Sequence, residues 1–142
     1  MASKPETTFI ASVHRHIPPE PLGPYHMKNS NDYNGGIADV WYSGSRADLW
    51  IEYKFLPRTP QRGIVWLCKP DVKAPDLTVL QQNWLRDRYG EGRNVGVIVG
   101  CPDGGVLMRS VEWECAFSAE EFRRLLMTRK DLAEWIIGET MR

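Results

Sequence analysis

Between Gly35 and Pro57 the chain reads GGIADVWYSGSRADLWIEYKFLP, two apolar, aromatic-rich runs separated by Ser-Gly-Ser. No other stretch restricts the fold as strongly. Such runs flanking a small-residue turn read as an antiparallel hairpin, with strands from Ile37 to Tyr42 and from Asp48 to Phe55. Alternation along the second strand puts Leu49, Ile51, Tyr53 and Phe55 on one face. Asp48, Trp50, Glu52 and Lys54 share the other. Charge inside a strand this apolar is costly unless it is paired or used.

The spacing suggests a use. A turn centred near Ser45 and Arg46 sets Asp39 opposite Glu52, and cross-strand side chains on one face approach within about 5 Å at Cβ. Two carboxylates at that spacing can grip one hard divalent cation, which takes oxygen ligands and keeps several waters. Lys54 projects from the same face, where it can stabilise charge on a phosphate or hold a metal-bound water in line. Asp48 also shares the face but lies at the strand's start, so it reads as a structural or secondary candidate. The plainer reading is a surface hairpin with a solvated Glu-Lys pair, and a bare D…ExK string is common. The surrounding LWIEYKFL favours an interior strand.

The rest of the chain predicts a mixed α/β domain. An N-terminal helix carries Phe9, Ile10, Val13 and Ile17 at helical spacing and stops at PPEPLGP. Tyr25 to Lys28 reads as a short strand and NSNDYNGG as a polar turn. After the hairpin comes a proline-punctuated connection, Pro57 to Pro75, whose GIVWLC predicts a short extra strand. Asp71 and Asp76 read as turn and helix N-cap residues. DLTVLQQNWLRDRYGEG predicts a helix with Leu77, Leu80, Trp84 and Leu85 on one side. NVGVIVGC suits a buried strand, and VLMRS returns from the PDGG turn as its hairpin partner. FSAEEF carries a capping box, Ser118 with Glu121, and a staple between Phe117 and Phe122. TRKD opens a last helix. The predicted order is α-β-β-β-loop-α-β-β-α-α.

The 142 residues fit one compact domain, and 42% hydrophobic with 25% charged residues is ordinary for a soluble protein. No apolar run approaches the roughly 20 residues that span a bilayer. The N-terminal MASKPETTF lacks a signal peptide's apolar region. Cys68, Cys101 and Cys115 form no CxxC pair, which argues against a disulfide frame or a zinc knuckle. An intracellular, cytoplasmic protein without membrane partners is expected. The net charge of zero counts against strong, indiscriminate DNA binding. Its distribution is uneven: Lys54, Arg58, Arg62, Lys69 and Lys73 face only Asp71 in the middle, and four glutamates follow from Glu112 to Glu121. Arg58 and Arg62, where the chain leaves the charged strand, are the first candidates for phosphate contacts, followed by Lys69 and Lys73. His14 and His16 lie two apart on a helix and would chelate poorly, whereas His26 reads as structural. The six tryptophans are mostly core, although Trp50 on the charged face could stack on a base.

GIAD, then DLWIEYK, then LTVLQQNWL resembles the PD-(D/E)xK nucleases, and more narrowly their virus-type replication-repair (VRR-NUC) branch, known from phages and repair proteins. That branch shows G-x-P-D, I-E-x-K and L-S/T-x-x-Q-x-x-W in this order. Here these are Gly36 to Asp39, Ile51 to Lys54, and Leu77, Thr78, Gln81 and Trp84, with Ala38 in place of the proline. The resemblance implies a restriction-endonuclease-like αβββαβ core, about residues 6–100, with a mixed sheet flanked by helices. A C-terminal hairpin strand and helices, 105–142, would complete a single nuclease domain. It also implies Mg²⁺ or Mn²⁺ on Asp39, Glu52 and the Tyr53 carbonyl, with Lys54 as the catalytic lysine. Gln81 would touch the water network or the phosphate. Glu6 would be an outer metal ligand, although a first-turn charge complementing the helix dipole explains it equally. The implied activity is endonucleolytic hydrolysis of DNA, leaving 5′-phosphate and 3′-hydroxyl ends. Branched or flapped DNA or a Holliday junction would be the substrate, in phage replication, recombination or repair within the host cytoplasm. A junction resolvase would need a homodimer. The alternatives are a nuclease-like module that binds nucleic acid or protein without cutting, and a restriction-type endonuclease. Retention of Asp39, Glu52 and Lys54 together speaks against the first, and the absence of an obvious sequence-recognition module against the second.

Overall fold

The computed structural model describes residues 3–29 and 35–142. Most of the polar turn expected over 29–36 therefore lies outside the described residues. The first helix, α1 (Lys4–His14), starts at Ser3, whose hydroxyl accepts the Glu6 N–H. Strands β1 (Tyr25–Lys28), β2 (Val40–Ser43) and β3 (Asp48–Phe55) form an antiparallel meander. A two-residue strand, β4 (Ile64–Val65), follows in the long connection. Helix α2 (Val79–Gly90) then crosses over to β5 (Val95–Cys101), which runs parallel to β3. The hairpin partner β6 (Gly104–Met108) closes a mixed five-stranded sheet of order β1-β2-β3-β5-β6. A short 3₁₀ turn (Glu112–Glu114) leads to β7 (Phe117–Ser118), which pairs with β4 in a separate two-stranded sheet. Helices α3 (Ala119–Arg124) and α4 (Arg129–Met141) end the chain, capped by Ser118 and Thr128. This is the expected α/β fold class with its mixed sheet and flanking helices.

Each face of the sheet has its own core. Leu49, Ile51 and Tyr53 pack with Phe9, Ile10 and Val13 of α1 and Leu132, Ala133 and Ile136 of α4. On the other face Val95, Val97 and Val99 pack with Leu77, Leu85, Met108, Trp113 and Phe122. Strand β5 is buried along its whole length, as a strand covered on both faces must be. Among the described residues no helix is long and apolar enough to cross a membrane.

Three local expectations shift. Strand β2 begins at Val40 rather than Ile37, because Gly36 turns with φ of +96° and Asp39 sits in a bend. A Cβ on Gly36 would meet the Leu80 carbonyl oxygen at 2.6 Å, so only glycine lets this turn abut the start of α2. Leu80 itself is 61% exposed and does not join Leu77 and Leu85 in the core. The N-cap of α2 is Thr78, not Asp76, because Thr78 forms both bonds of a capping box with Gln81.

Helix α1 lies close over the sheet because Gly100 has no side chain. A Cβ there would come within 2.6 Å of the Phe9 ring. Gly100→Ala is therefore expected to cost about 1–3 kcal/mol by overpacking, measured by urea unfolding. Gly138→Ala, where nothing lies within 4 Å in the middle of α4, serves as the control and should be neutral or stabilising.

Candidate active site

Backbone groups of β3 alternate between its two neighbours. The N–H groups of Trp50 and Leu56 point to β5, bonding Asn94 and Gly100. The odd-numbered residues therefore address β2. Continuing the β2–β3 register one step past Val40 and Ile51 brings Asp39 level with Glu52. There the main-chain ladder stops, and the Asp39 Oδ2 accepts the Tyr53 N–H at 2.9 Å. The Asp39 carbonyl accepts the Asn29 N–H, tying the same residue to the end of β1. Since a residue's N–H and C=O address the same neighbouring strand, the Tyr53 carbonyl is also directed to the side where β2 has left off.

Glu52 points to the face covered by α2 and is only 1% exposed. Its Oε1 has no hydrogen-bond partner, and its Oε2 lies 3.5 Å from Gln81 Nε2. The orientation of Gln81 follows from the helix cap. Its Oε1 accepts the Thr78 N–H at 3.0 Å, which leaves Nε2 as the atom facing Glu52. Asp39 lies close enough to Glu52 for a hydrogen bond, yet two ionised carboxylates are both acceptors. They can share only a proton or a cation.

The electrostatics follow. Burial, then the hydrogen bond and charge of Asp39, push the Glu52 carboxyl well above the ordinary range, and Lys54 only partly offsets this. Burial and the Asp39 charge raise Glu6 from 4.5 to about 7, against the opposing pull of Lys54 and Lys28. Glu6, from the first turn of α1, thus belongs to the same electrostatic cluster as Asp39, Glu52 and Lys54. Among the described residues no three His, Cys, Asp or Glu side chains form a ready-made metal cage. A buried Glu52 with an unpartnered oxygen, next to a half-buried Asp39, does suit a small divalent cation, which commonly takes one or two carboxylates and keeps water as its remaining ligands.

No protein-family model matches the sequence, and no curated protein matches it significantly. Solved structures do match. The chain shares its fold with an archaeal Holliday junction resolvase. The similarity to Hjc of Archaeoglobus fulgidus has a TM-score of 0.55 and spans 94% of this chain and 99% of that one. Identity is 12%, so the likeness concerns the fold.

The remaining candidates fall in different places. Asp48 is exposed at the far end of β3, four residues or about 13 Å from Glu52. Arg58, Arg62, Lys69 and Lys73 are all exposed. Arg58 and Lys69 line a common groove beyond Lys54. Trp50 is not an open stacking platform. Its ring stacks on Trp41 at 6.0 Å and meets the edge of Trp84 at 5.6 Å. The acidic stretch is largely engaged: Glu114 forms a two-pronged ion pair with Arg86, and Glu112 accepts the Arg109 N–H.

Two features escaped sequence reasoning. Lys28, the last residue of β1, donates to Thr7 Oγ1 at 2.9 Å, and its charge acts on Glu6. Counting its register against Val40, next to Asp39, would have found it. His14, which burial pushes from 6.5 down to about 4, is hydrogen-bonded to the Tyr42 hydroxyl at 2.8 Å. That hydroxyl in turn lies 2.6 Å from the Tyr53 hydroxyl, so a buried chain links α1 to both site strands.

The raised carboxyls have a direct consequence. Between 4.5 and about 7 the folded protein retains on Glu6 a proton that the unfolded chain has released, so rising pH removes stability across this window. Glu52 acts with the same sign. Glu52→Gln is expected to raise the melting temperature of metal-free protein at pH 8 by about 3 °C or more, with a smaller gain at pH 4.5. Equal shifts at both pH values would contradict the burial of an ionisable Glu52.

Proposed function

We propose that this chain is a divalent-metal-dependent endonuclease that hydrolyses phosphodiester bonds in branched DNA. The observation that carries the reading is Glu52, a carboxylate 1% exposed with an unpartnered oxygen, set against Asp39 and Lys54. A buried acid so placed costs stability and needs a use. The likeness in fold to a Holliday junction resolvase supports a nuclease, and the three ordered motifs support the VRR-NUC branch, a phage setting and the choice of these residues.

Asp39 and Glu52, with the Tyr53 carbonyl, would hold Mg²⁺ or Mn²⁺. When bound, the ion supplies an activated water and neutralises charge on the phosphate. The chain's own groups do the rest. Lys54 stabilises the negative charge that develops on the phosphate oxygens. Gln81, anchored by the α2 cap, offers its Nε2 to Glu52 and keeps that carboxylate oriented. Glu6 modulates the charge of the pair from α1, and Lys28 adds a cation on the α1 side. Arg58 and Lys69 receive flanking phosphates, with Arg62 and Lys73 as outer contacts. On this reading residues 1–142 form one nuclease domain. Two copies would be needed to cut both strands of a four-way junction.

Purified protein is expected to cut a labelled Holliday junction or flap with Mg²⁺, to cut linear duplex less, and to cut neither with chelator. Glu52→Gln and Lys54→Ala should each lower the rate by about 100-fold or more. Variants that cut as fast as wild type would end the nuclease reading. Lys28→Ala should weaken binding and flatten its salt dependence by about one phosphate contact, measured by titration at several ionic strengths.

A further inference from the structure

Just past Lys54 the chain leaves β3 through Leu56 and Pro57, and a groove of about 530 Å³ opens there. Leu56, Pro57, Pro60, Ile64, Val65 and Trp66 supply its apolar lining. Arg58 and Lys69 are its cations, and Asp76 is its one carboxylate. None of the apolar lining takes part in the chemistry proposed above.

The groove is a built feature of the long connection. Strand β4 is paired to β7, and the Ala119 N–H bonds the Gly63 carbonyl. Arg123 donates to the Pro60 carbonyl at 2.8 Å, and Trp66 Nε1 donates to the Glu114 carbonyl at 3.2 Å. Yet Ile64, at one wall, is 69% exposed. Ile64 thus adds exposed apolar surface to a groove whose backbone is anchored on both sides.

Its chemistry selects the occupant. Its apolar lining suits a flat apolar body, its two cations suit phosphodiesters, and Asp76 can accept from an amino group on a base edge. Lys54 and Leu56 are two residues apart, about 7 Å along a strand. That is about two rises along the axis of stacked duplex, and fewer nucleotides of an extended, unpaired strand. We propose that this groove receives an unpaired nucleobase one or two nucleotides from the cut phosphate. It would thereby give the site its preference for branched DNA over plain duplex. The inference rests on the nuclease reading, which it deepens.

The test uses Glu52→Gln protein with chelator, so that binding is measured without cutting, and flap DNA carrying one abasic site at successive positions around the branch. At one position the missing base should weaken binding roughly 5- to 100-fold. That penalty should disappear in Glu52→Gln protein that also carries Ile64→Glu. Because Ile64 is exposed, the added change should leave the melting temperature in place, and Ile64→Ala should give an intermediate penalty. If no abasic position matters, or the penalty survives Ile64→Glu, the subsite is wrong. Cleavage by wild-type protein on intact flap separates the two readings. Cutting without an abasic penalty overturns the groove alone, whereas neither binding nor cutting overturns both.

Discussion

The Asp39 carboxylate takes the place of main chain where β2 stops following β3. Its bond to the Tyr53 N–H satisfies a strand donor that the ladder has abandoned, and its carbonyl is meanwhile held by the end of β1. The divergence is what makes room for a site. Had β2 continued in register, its backbone would have occupied the space towards which the Tyr53 carbonyl is directed. Instead a side chain closes the wedge, and it is a carboxylate, placed level with Glu52 across the gap.

Everything else converges on that wedge. Helix α1 brings Glu6 to it, at a depth set by the absence of a side chain on Gly100. Helix α2 brings Gln81, oriented by the same hydrogen bonds that cap the helix. Strand β1 brings Lys28 from the sheet edge. The result is a cluster of acids whose burial, and then mutual repulsion, raise Glu6 and Glu52 together. Such a cluster weakens the fold by itself and is relieved by a proton or by a cation, which is why stability and metal binding are expected to answer to the same residues.

The two-residue alternation of β3 was legible because it is local: Leu49, Ile51 and Tyr53 had to share one face and Trp50, Glu52 and Lys54 the other. Counting outward from the turn was enough to match Asp39 with Glu52. Less local features misled. Leu80 has helical spacing for the core, but it lies at the start of α2 beside Gly36, where no second layer covers it. Thr78 rather than Asp76 caps the helix because its side chain and that of Gln81 complete a reciprocal pair. Trp50 was placed on the correct face, yet its stacking partners come from β2 and α2, which no spacing reveals.

By itself the amino-acid sequence determined the hairpin, the faces of β3, the buried β5 and the opposition of two carboxylates, since each follows from strand periodicity and short turns. Only the tertiary structure decided that Glu52 is sealed beneath α2 with an oxygen unpartnered, and that Glu6 and Lys28 join it. It also decided that the long connection builds a groove beyond Lys54. Burial and charge clustering depend on which distant elements pack together, and that is a property of the whole fold.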